Sequence, residues 1–343
     1  MEYKKIVIDG FGGDNAPAEV VKGVKKALEQ IKDIKVVVTG KKEEIENVAK
    51  EIGFDLNSER FEIVDARDVI TNDDVPTVAI KQKTDSSLVK AFDILKNDEN
   101  AIGLVSAGST GAVLTGGFLK IGRIKGVSRP VLAPIMPTAN GTPVILTDSG
   151  ANMDCKPINL IHFALMASKY AEVMFGTKNP RVALLSVGTE DHKGNELVKK
   201  TFPYMKQIGV NFVGNMEARD LLSGEFDVVV ADGFAGNVAL KSCEGTLKTL
   251  LGILKSDIKS HTASKIGYLF MKGTFKRLKA KFDYDKYGGS PFLGINKLVI
   301  KCHGSSKAES FYQSIKQAYT LGQSDIIQSV SQAVNNVDIK IED

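Results

Sequence analysis

Short apolar runs alternate along the chain with longer segments in which apolar residues recur at helical spacing. The runs are rich in β-branched residues and mostly continuous, whereas a half-buried strand would alternate apolar and polar positions. Continuous runs are typical of strands that helices cover on both faces. They occupy residues 6–9, 35–39, 61–64, 101–106, 131–136, 144–148, 182–187, 210–213, 228–232 and 298–303. The pattern predicts about ten strands in an α/β fold with a largely parallel sheet.

Glycine comes just after eight of these runs. In a parallel sheet, positions after the strands collect along the carboxyl edge, where α/β proteins bind their ligands. The glycines are Gly10, Gly40, Gly108, Gly150, Gly188, Gly214, Gly233 and Gly304. No Pro/Ser-rich linker or short repeat divides the chain, so we expect a single domain over residues 1–343.

Composition narrows the class of protein. The chain has 343 residues, 43% of them hydrophobic and 25% charged, which is the ordinary globular range. The net charge of +4 argues against a dedicated nucleic-acid binder. Cys155, Cys243 and Cys302 form no close pair, which favours a reducing compartment over a disulfide framework or zinc site. The run Ile6–Ile8 is too short for a signal peptide, and no apolar stretch could span a bilayer, so a cytoplasmic protein is expected.

A glycine-rich turn follows the first run and ends at Asn15. This residue stands where a dinucleotide-binding fingerprint requires glycine or alanine, so that fingerprint is rejected. The turn leads to Pro17 near the start of a predicted helix, a geometry that points backbone N–H groups at an anion. We therefore predict phosphate or oxyanion binding by Gly12, Gly13 and Asp14; the alternative is a tight turn with Asp14 as helix cap.

A second turn of small residues, residues 106–111, lies between a strand and an apolar helix. It allows close backbone approach to a phosphate or to an acyl oxyanion. The predicted contacts are Gly108, Ser109, Thr110 and Gly111. No GxxxxGK[ST] sequence occurs anywhere, which argues against nucleoside triphosphate chemistry.

Two later loops share one pattern, an aspartate at a strand end and an asparagine after glycine. They are residues 148–152 and 232–237, and the repetition suggests that they face each other. Asp232 could orient a phosphate proton or Lys193, and Asn237 could donate to an oxyanion. The alternative is that both residues only cap helices.

The loop at residues 188–196 packs three acidic residues and Lys193 between a strand and a helix. Lys193 is the predicted cation for an anionic substrate; the alternative is a solvated surface lysine.

His303 could be a general base or a structural hydrogen-bonding group. No GxSxG or HExxH motif and no metal cluster occurs. The site is therefore expected to bind an anion and a carbonyl without a covalent enzyme intermediate, a metal or a cofactor.

A basic, aromatic segment at residues 258–282 contains no acidic residue. Apolar residues recur in it at helical spacing, and Gly273 is expected to separate two helical pieces. The predicted contact residues are Ile266, Leu269, Phe270, Lys272, Lys276 and Arg277. A basic amphipathic helix can lie on an anionic bilayer. Docking of an acidic carrier protein and a dimer interface are the alternatives.

Taken in order, these loops resemble those of the bacterial phosphate acyltransferases of the PlsX type. The similarity runs from Ile6 to about residue 317 and includes DGFGGDNAP, SAGSTG, DSGANMDC, GTEDHKGNE, NFVGNMEARDLL, DGFAGNVALK, YGGSPFLG and KCHGSS. The sequence departs from the family pattern at Gly10, Phe11, Asn15 and Ser109. The family usually has asparagine at position 109, so the serine removes an amide side chain from the second turn.

The resemblance implies a three-layer α/β/α sandwich like that of phosphotransacetylases and isopropylmalate dehydrogenases. It implies a homodimer that transfers a long acyl chain from acyl-acyl-carrier protein to inorganic phosphate, feeding phospholipid synthesis at the inner face of the membrane. A downstream glycerol-phosphate acyltransferase is a possible partner. Further substrate contacts are expected from Asn152, Glu190, Gly233, His303 and Ser305.

Three different functions fit the sequence less well. A nicotinamide-dependent dehydrogenase needs a nucleotide site, which the sequence lacks in recognisable form. A short-chain phosphotransacetylase that uses coenzyme A would share the phosphate site but has no need of the apolar, basic segment. A non-enzymatic scaffold would not need so many glycine-rich loops at strand ends.

Overall fold

Strands and helices alternate along the part of the chain that the computed structural model describes, residues 3–337 and residue 339. Within it the strands are β1 (Lys4–Asp9), β2 (Ile34–Gly40), β3 (Phe61–Asp65), β4 (Ala101–Ser106), β5 (Val131–Leu132), β6 (Ile135–Met136), β7 (Val144–Thr147), β8 (Arg181–Ser186), β9 (Asn211–Glu217), β10 (Val228–Val230), β11 (Ser290–Leu293) and β12 (Leu298–Lys301).

Three of the described α-helices begin after a residue of a type that commonly caps helices. Ser86, Asn195 and Asp232 each accept a hydrogen bond from a backbone N–H in the first turn of the following helix. The helices are α1 (Ala18–Gln30), α2 (Lys42–Glu51), α3 (Pro76–Gln82), α4 (Ser87–Asn97), α5 (Thr110–Gly116), α6 (Pro157–Phe175), α7 (Glu196–Met205), α8 (Gly233–Ser260), α9 (Thr262–Lys281), α10 (Ala308–Gly322) and α11 (Ile326–Asn335). A π-helical turn, Gly117–Ile121, extends α5.

The strands form two mostly parallel sheets. One has seven strands in the order β3-β2-β1-β4-β12-β11-β5, and the other has five in the order β6-β7-β10-β8-β9. Among the described strands, antiparallel pairing is confined to β11, which lies between β12 and β5, and to β6 beside β7. The predicted α/β class with largely parallel strands is confirmed.

Three details of the strand prediction are wrong. The run at 131–136 is two short strands, β5 and β6, which belong to different sheets and carry the chain from one to the other. Strand β11 was not predicted, because Pro291 and the preceding glycines are typical of a loop. Gly214 lies within β9 and not after it, since that strand continues to Glu217.

Helix α6 supplies the centre of the largest apolar core. It is hydrophobic on almost all sides, and twelve of its residues are buried. The same cluster contains Val131 and Leu298 from the seven-stranded sheet and Val182 and Val228 from the five-stranded sheet. The two sheets therefore share one continuous core.

Helices α8 and α9 pack against each other as a long hairpin. Only the first two turns of α8 hold buried residues, and α9 has none among its described side chains. The predicted break at Gly273 is wrong, because α9 continues through it and the chain turns instead at His261, which is extended. None of the described helices is long and apolar enough to cross a membrane.

Candidate functional site

The turns that follow β1, β4 and β12 pack directly on one another at the carboxyl edge of the seven-stranded sheet. The backbone N–H of Asp14 donates to the carbonyl of Gly304 at 2.8 Å. A Cβ on Gly12 would lie 2.5 Å from Oδ2 of Asp9 and 2.6 Å from the amide nitrogen of Gly108. Gly13 has φ +99°, and a Cβ there would meet the carbonyl of Gly304 at 2.9 Å. Glycine is required in this turn because the neighbouring backbones leave no room for a side chain.

A buried pair of side chains holds two of these turns in register. The hydroxyl of Ser106 donates to Oδ2 of Asp9 at 2.7 Å and accepts from the backbone N–H of Gly108 at 3.0 Å. Asp9 is 1% exposed, and burial raises the pKa of its carboxyl. The pair fixes the 106–111 turn against the first turn and faces away from solvent.

A cleft opens between the carboxyl edges of the two sheets. It consists of two adjoining hollows of about 350 and 450 Å³. Thr110, Lys241, Lys301 and His303 line both. The first hollow also contacts Ser149, Gly150 and Asn237 of the five-stranded sheet, and the second contacts Gly13, Asp14, Gly108 and Ser109. The cleft thus brings the two predicted glycine turns together with Asn237.

The two aspartate-ended loops do face each other, as their repeated pattern suggested. The backbone N–H of Gly233 donates to the carbonyl of Asn152 at 2.8 Å. A Cβ on Gly236 would lie only 1.8 Å from the carbonyl oxygen of Asp148. Helix α8 can start against the 148–152 loop only because glycine occupies these two positions.

Asp148 and Asn152 form a buried cluster of hydrogen bonds beneath that contact. Asp148 accepts from the backbone N–H groups of Leu132 and Ala151 and from both the backbone and the side chain of Asn152. Burial raises the pKa of Asp148, and these hydrogen bonds oppose the rise. The amide of Asn152 also donates to the carbonyl of Pro130 at 2.8 Å. Both of its N–H groups are therefore used within the protein.

Asp232 and Lys193 lie on the other side of the first turns of α8. Asp232 accepts from the backbone N–H of Ala235 at 2.8 Å, which is helix-cap geometry. It borders a separate apolar groove of about 620 Å³, lined also by Val187, Phe234 and Val238. Lys193 and Glu190 stand in the loop beside this groove, where the backbone N–H of Lys193 donates to the carbonyl of Glu190 at 3.0 Å. Neither of them lines the cleft described above.

His303 and Ser305 form the rim of the cleft on the side of β12. Nδ1 of His303 is 2.8 Å from the hydroxyl of Ser305 and accepts from the backbone N–H of Ser305 at 3.2 Å. The side-chain amide of Asn15 donates to the carbonyls of Ser305 and Ser306. Asn15 therefore ties the first turn to this rim.

Two lysines of the cleft were not predicted from the sequence. Lys241 projects from α8 and pairs with Glu244 at 2.7 Å. Lys301 ends β12 and is 8% exposed, and burial lowers the pKa of its ammonium. The sequence did carry a signal for Lys301. It is the one charged residue of the predicted strand 298–303, in which every other residue except His303 is apolar.

Cys155 lies under the same loops but is not equipped as a nucleophile. Its thiol donates to the carbonyl of Asn152 at 3.5 Å, and burial raises its pKa to about 12. A thiol with this pKa is protonated at neutral pH, and only the thiolate is a good nucleophile.

Comparison with known proteins identifies the family. Residues 4–329 match the family described as "Fatty acid synthesis protein". The chain is 46% identical over 332 residues to the phosphate acyltransferase of Clostridium acetobutylicum, covering 97% of this chain and 99% of that protein. The chain belongs to the PlsX-type phosphate acyltransferase family. As a member of that family it is an acyltransferase.

Other relatives agree along nearly the whole length. The phosphate acyltransferase of Caldanaerobacter subterraneus subsp. tengcongensis is 45% identical over 330 residues, which cover 96% of this chain and 97% of that one. A phosphotransacetylase from Streptococcus pyogenes superposes with a TM-score of 0.59 at 18% identity, covering 97% of this chain and 95% of the other. That structural likeness supports the fold predicted for a phosphate acyltransferase.

Proposed function

We propose that this chain transfers a long acyl group from the thioester of acyl-acyl-carrier protein to inorganic phosphate, which yields acyl phosphate and the free thiol. The observation that carries the proposal is the cleft, in which glycine turns of one sheet face Gly150 and Asn237 of the other. Backbone N–H groups suit the oxygens of phosphate, and the amide of Asn237 suits a developing oxyanion. The relatives named phosphate acyltransferases support the same reaction.

The reaction depends on the positioning of phosphate and thioester more than on a strong base. A phosphate oxygen attacks the acyl carbon, the carbonyl oxygen becomes an oxyanion, and the carbon–sulfur bond then breaks to release the carrier thiolate, which takes up a proton. Phosphate near neutral pH is partly dianionic and already nucleophilic. Holding it beside the thioester can supply a large part of the rate acceleration, since well-oriented reactants gain about 7–11 kcal/mol over free ones.

The roles predicted for Lys193, Glu190, Asp232 and Asn152 stay predictions. Asp232 caps α8 and Asn152 uses its amide within the protein, so their contribution to the reaction would come through the position of α8 and its loop. Lys193→Ala and Asp232→Asn variants that fold normally and keep full turnover would contradict the roles predicted for them.

The activity is tested by incubating the protein with phosphate and palmitoyl-carrier protein or palmitoyl-coenzyme A, and measuring acyl phosphate and free thiol. Acetyl-coenzyme A in place of the palmitoyl donors tests the short-chain alternative.

Asn237→Leu removes the side-chain amide that would donate to the oxyanion, and it is expected to lower kcat by about 10²–10³-fold. Lys248→Leu, on an exposed position of the same helix, is the matched control. No acyl phosphate from either palmitoyl donor would refute the proposed reaction.

The hairpin supports a peripheral location on the cytoplasmic face of the membrane. Its large apolar side chains are exposed, with Leu269 at 70% and Phe270 at 87%, beside the basic residues of α9. An isolated protein rarely exposes so many large apolar groups together, and Lys or Arg near anionic headgroups adds about 1 kcal/mol each. A homodimer and transfer of the product to a glycerol-phosphate acyltransferase belong to the same proposal.

Co-sedimentation with anionic vesicles tests the location. We expect Leu269→Glu to reduce binding to phosphatidylglycerol vesicles strongly, because it places a carboxylate in the apolar face. Ala263→Glu, which changes the charge equally but removes no large apolar group, is the control. Equal binding by wild type and Leu269→Glu would leave carrier docking or a dimer interface as the use of the hairpin.

A further inference from the structure

Lys301 is a buried cation whose hydrogen bonds go to backbone carbonyls. Its ammonium donates to the carbonyl of Cys302, and to that of Ala107 at 3.5 Å. Among the described residues, no Asp or Glu lies within 4.0 Å of it. A buried charge is stable only when it is paired or well hydrogen-bonded. An ammonium has three N–H donors, so at least one is left for a group that comes from outside the protein.

Lys297, which immediately precedes β12, is an example of a lysine with a purely structural role in this fold. Its ammonium donates to three carbonyls, those of Leu95 at 2.6 Å, Asp98 at 3.0 Å and Ala101 at 3.4 Å. All three donors are used, on carbonyls at the carboxyl end of α4 and at the start of β4. Lys301 differs because it has fewer acceptors and lies at the ligand-binding edge of the sheet.

The surroundings of Lys301 favour an anion. It lines both hollows of the cleft, together with Thr110, Lys241 and His303. The carbonyl of Ala107 that it contacts belongs to the 106–111 turn, so the ammonium lies beside the loop that precedes α5. Asp9 and Asp14 are close enough to favour its charged form, and Lys241 opposes it. Of these three groups, Asp9 already accepts a hydrogen bond from the hydroxyl of Ser106.

We propose that Lys301 is the cation of an anion-binding site at the junction of the two hollows, and that its ligand is the phosphate that attacks the acyl carbon. This inference rests on the proposed function and assigns the phosphate charge to a residue on β12 instead of the loop at 188–196. Phosphate bound here lies between the glycine turns and Asn237. The buried ammonium also stabilises the negative charge that the transition state shares with the carbonyl oxygen.

The proposal is tested first by binding of inorganic phosphate without an acyl donor, measured by titration calorimetry or equilibrium dialysis. Lys301→Met keeps the length of the side chain and removes its charge, and it is expected to weaken phosphate binding by at least tenfold. Lys301→Arg is expected to recover part of the affinity. Lys297→Met is the control and is expected to bind phosphate as the wild type does.

A second measurement uses the wild-type protein, so it does not depend on the variants folding. Reductive methylation with and without phosphate, read by mass spectrometry, is expected to show protection of Lys301 and none of Lys297. Wild-type phosphate affinity in Lys301→Met, or equal methylation of Lys301 in both samples, overturns the inference alone. A wild-type protein that binds no phosphate at all overturns the proposed function as well.

Discussion

At the scale of single residues, burial shifts the pKa values of groups near the cleft. It keeps the thiol of Cys155 protonated, with a pKa of about 12, and lowers the pKa of Lys301. The sequence indicated the small residues of the site well, because glycine directly after a strand is typical of a tight turn or a close backbone approach. It marked Lys301 only as the one charged residue of an apolar run, because whether that side chain reaches the cleft depends on the neighbouring strands.

His162 gives a prediction at this scale. Its ring accepts a hydrogen bond from the backbone N–H of Ser128 at 3.0 Å, and burial lowers its pKa from 6.5 to about 4. Between these values the unfolded chain binds the proton more tightly than the folded one. The free energy of unfolding should therefore fall as the pH drops through this window, by at most about 1.4 kcal/mol per pH unit.

Denaturant unfolding at pH 7, 6 and 5 measures this slope. His162→Gln keeps an acceptor for Ser128 but cannot titrate, so the slope should become shallower by the contribution of one group. The same slope in wild type and variant would show that other residues dominate acid destabilisation.

At the scale of elements, close backbone contacts decide where helices can begin. The sequence predicted the loop 232–237 but left open whether Asp232 and Asn237 act on a ligand or only cap helices. The structure shows that Gly233 and Gly236 let α8 approach the 148–152 loop. The sequence also suggested a break at Gly273, but α9 continues through it. One glycine costs a helix only about 1 kcal/mol relative to alanine, which packing against α8 can offset.

Two glycines of α8 provide a matched pair for a test. Gly236→Ala would place a Cβ 1.8 Å from the carbonyl of Asp148, and it should lower the free energy of unfolding by about 1–3 kcal/mol and reduce turnover. Gly245→Ala meets nothing within 4 Å and should be neutral or stabilising by up to about 1 kcal/mol. Thermal unfolding and the acyl phosphate assay measure both. A harmless Gly236→Ala would mean that α8 can shift away from the loop at little cost.

At the scale of the whole molecule, one apolar core joins the two sheets. Phe163 of α6 is fully buried in the cluster that contains residues of both. The single domain predicted for residues 1–343 stays a prediction, which an unfolding experiment tests.

Phe163→Ala should lower the free energy of unfolding by about 3–5 kcal/mol, because it leaves a cavity in the shared core. We expect one cooperative transition in both proteins, with far-UV circular dichroism and tyrosine fluorescence changing together. Lys169→Ala, which removes only a surface ion pair with Glu172 on the same helix, should change stability by less than about 1 kcal/mol. Two separate transitions would show that the sheets unfold as independent units.

The sequence by itself determined the α/β class, most of the strands and the glycine turns, because apolar periodicity and the residues that follow a strand are local properties. Only the tertiary structure decided that the strands divide into two sheets, that Lys301 and not Lys193 lies in the cleft, and that Asp9 meets Ser106 from 97 residues away. These features depend on which strands pair and which faces meet. Such contacts join distant parts of the chain, and no local pattern specifies them.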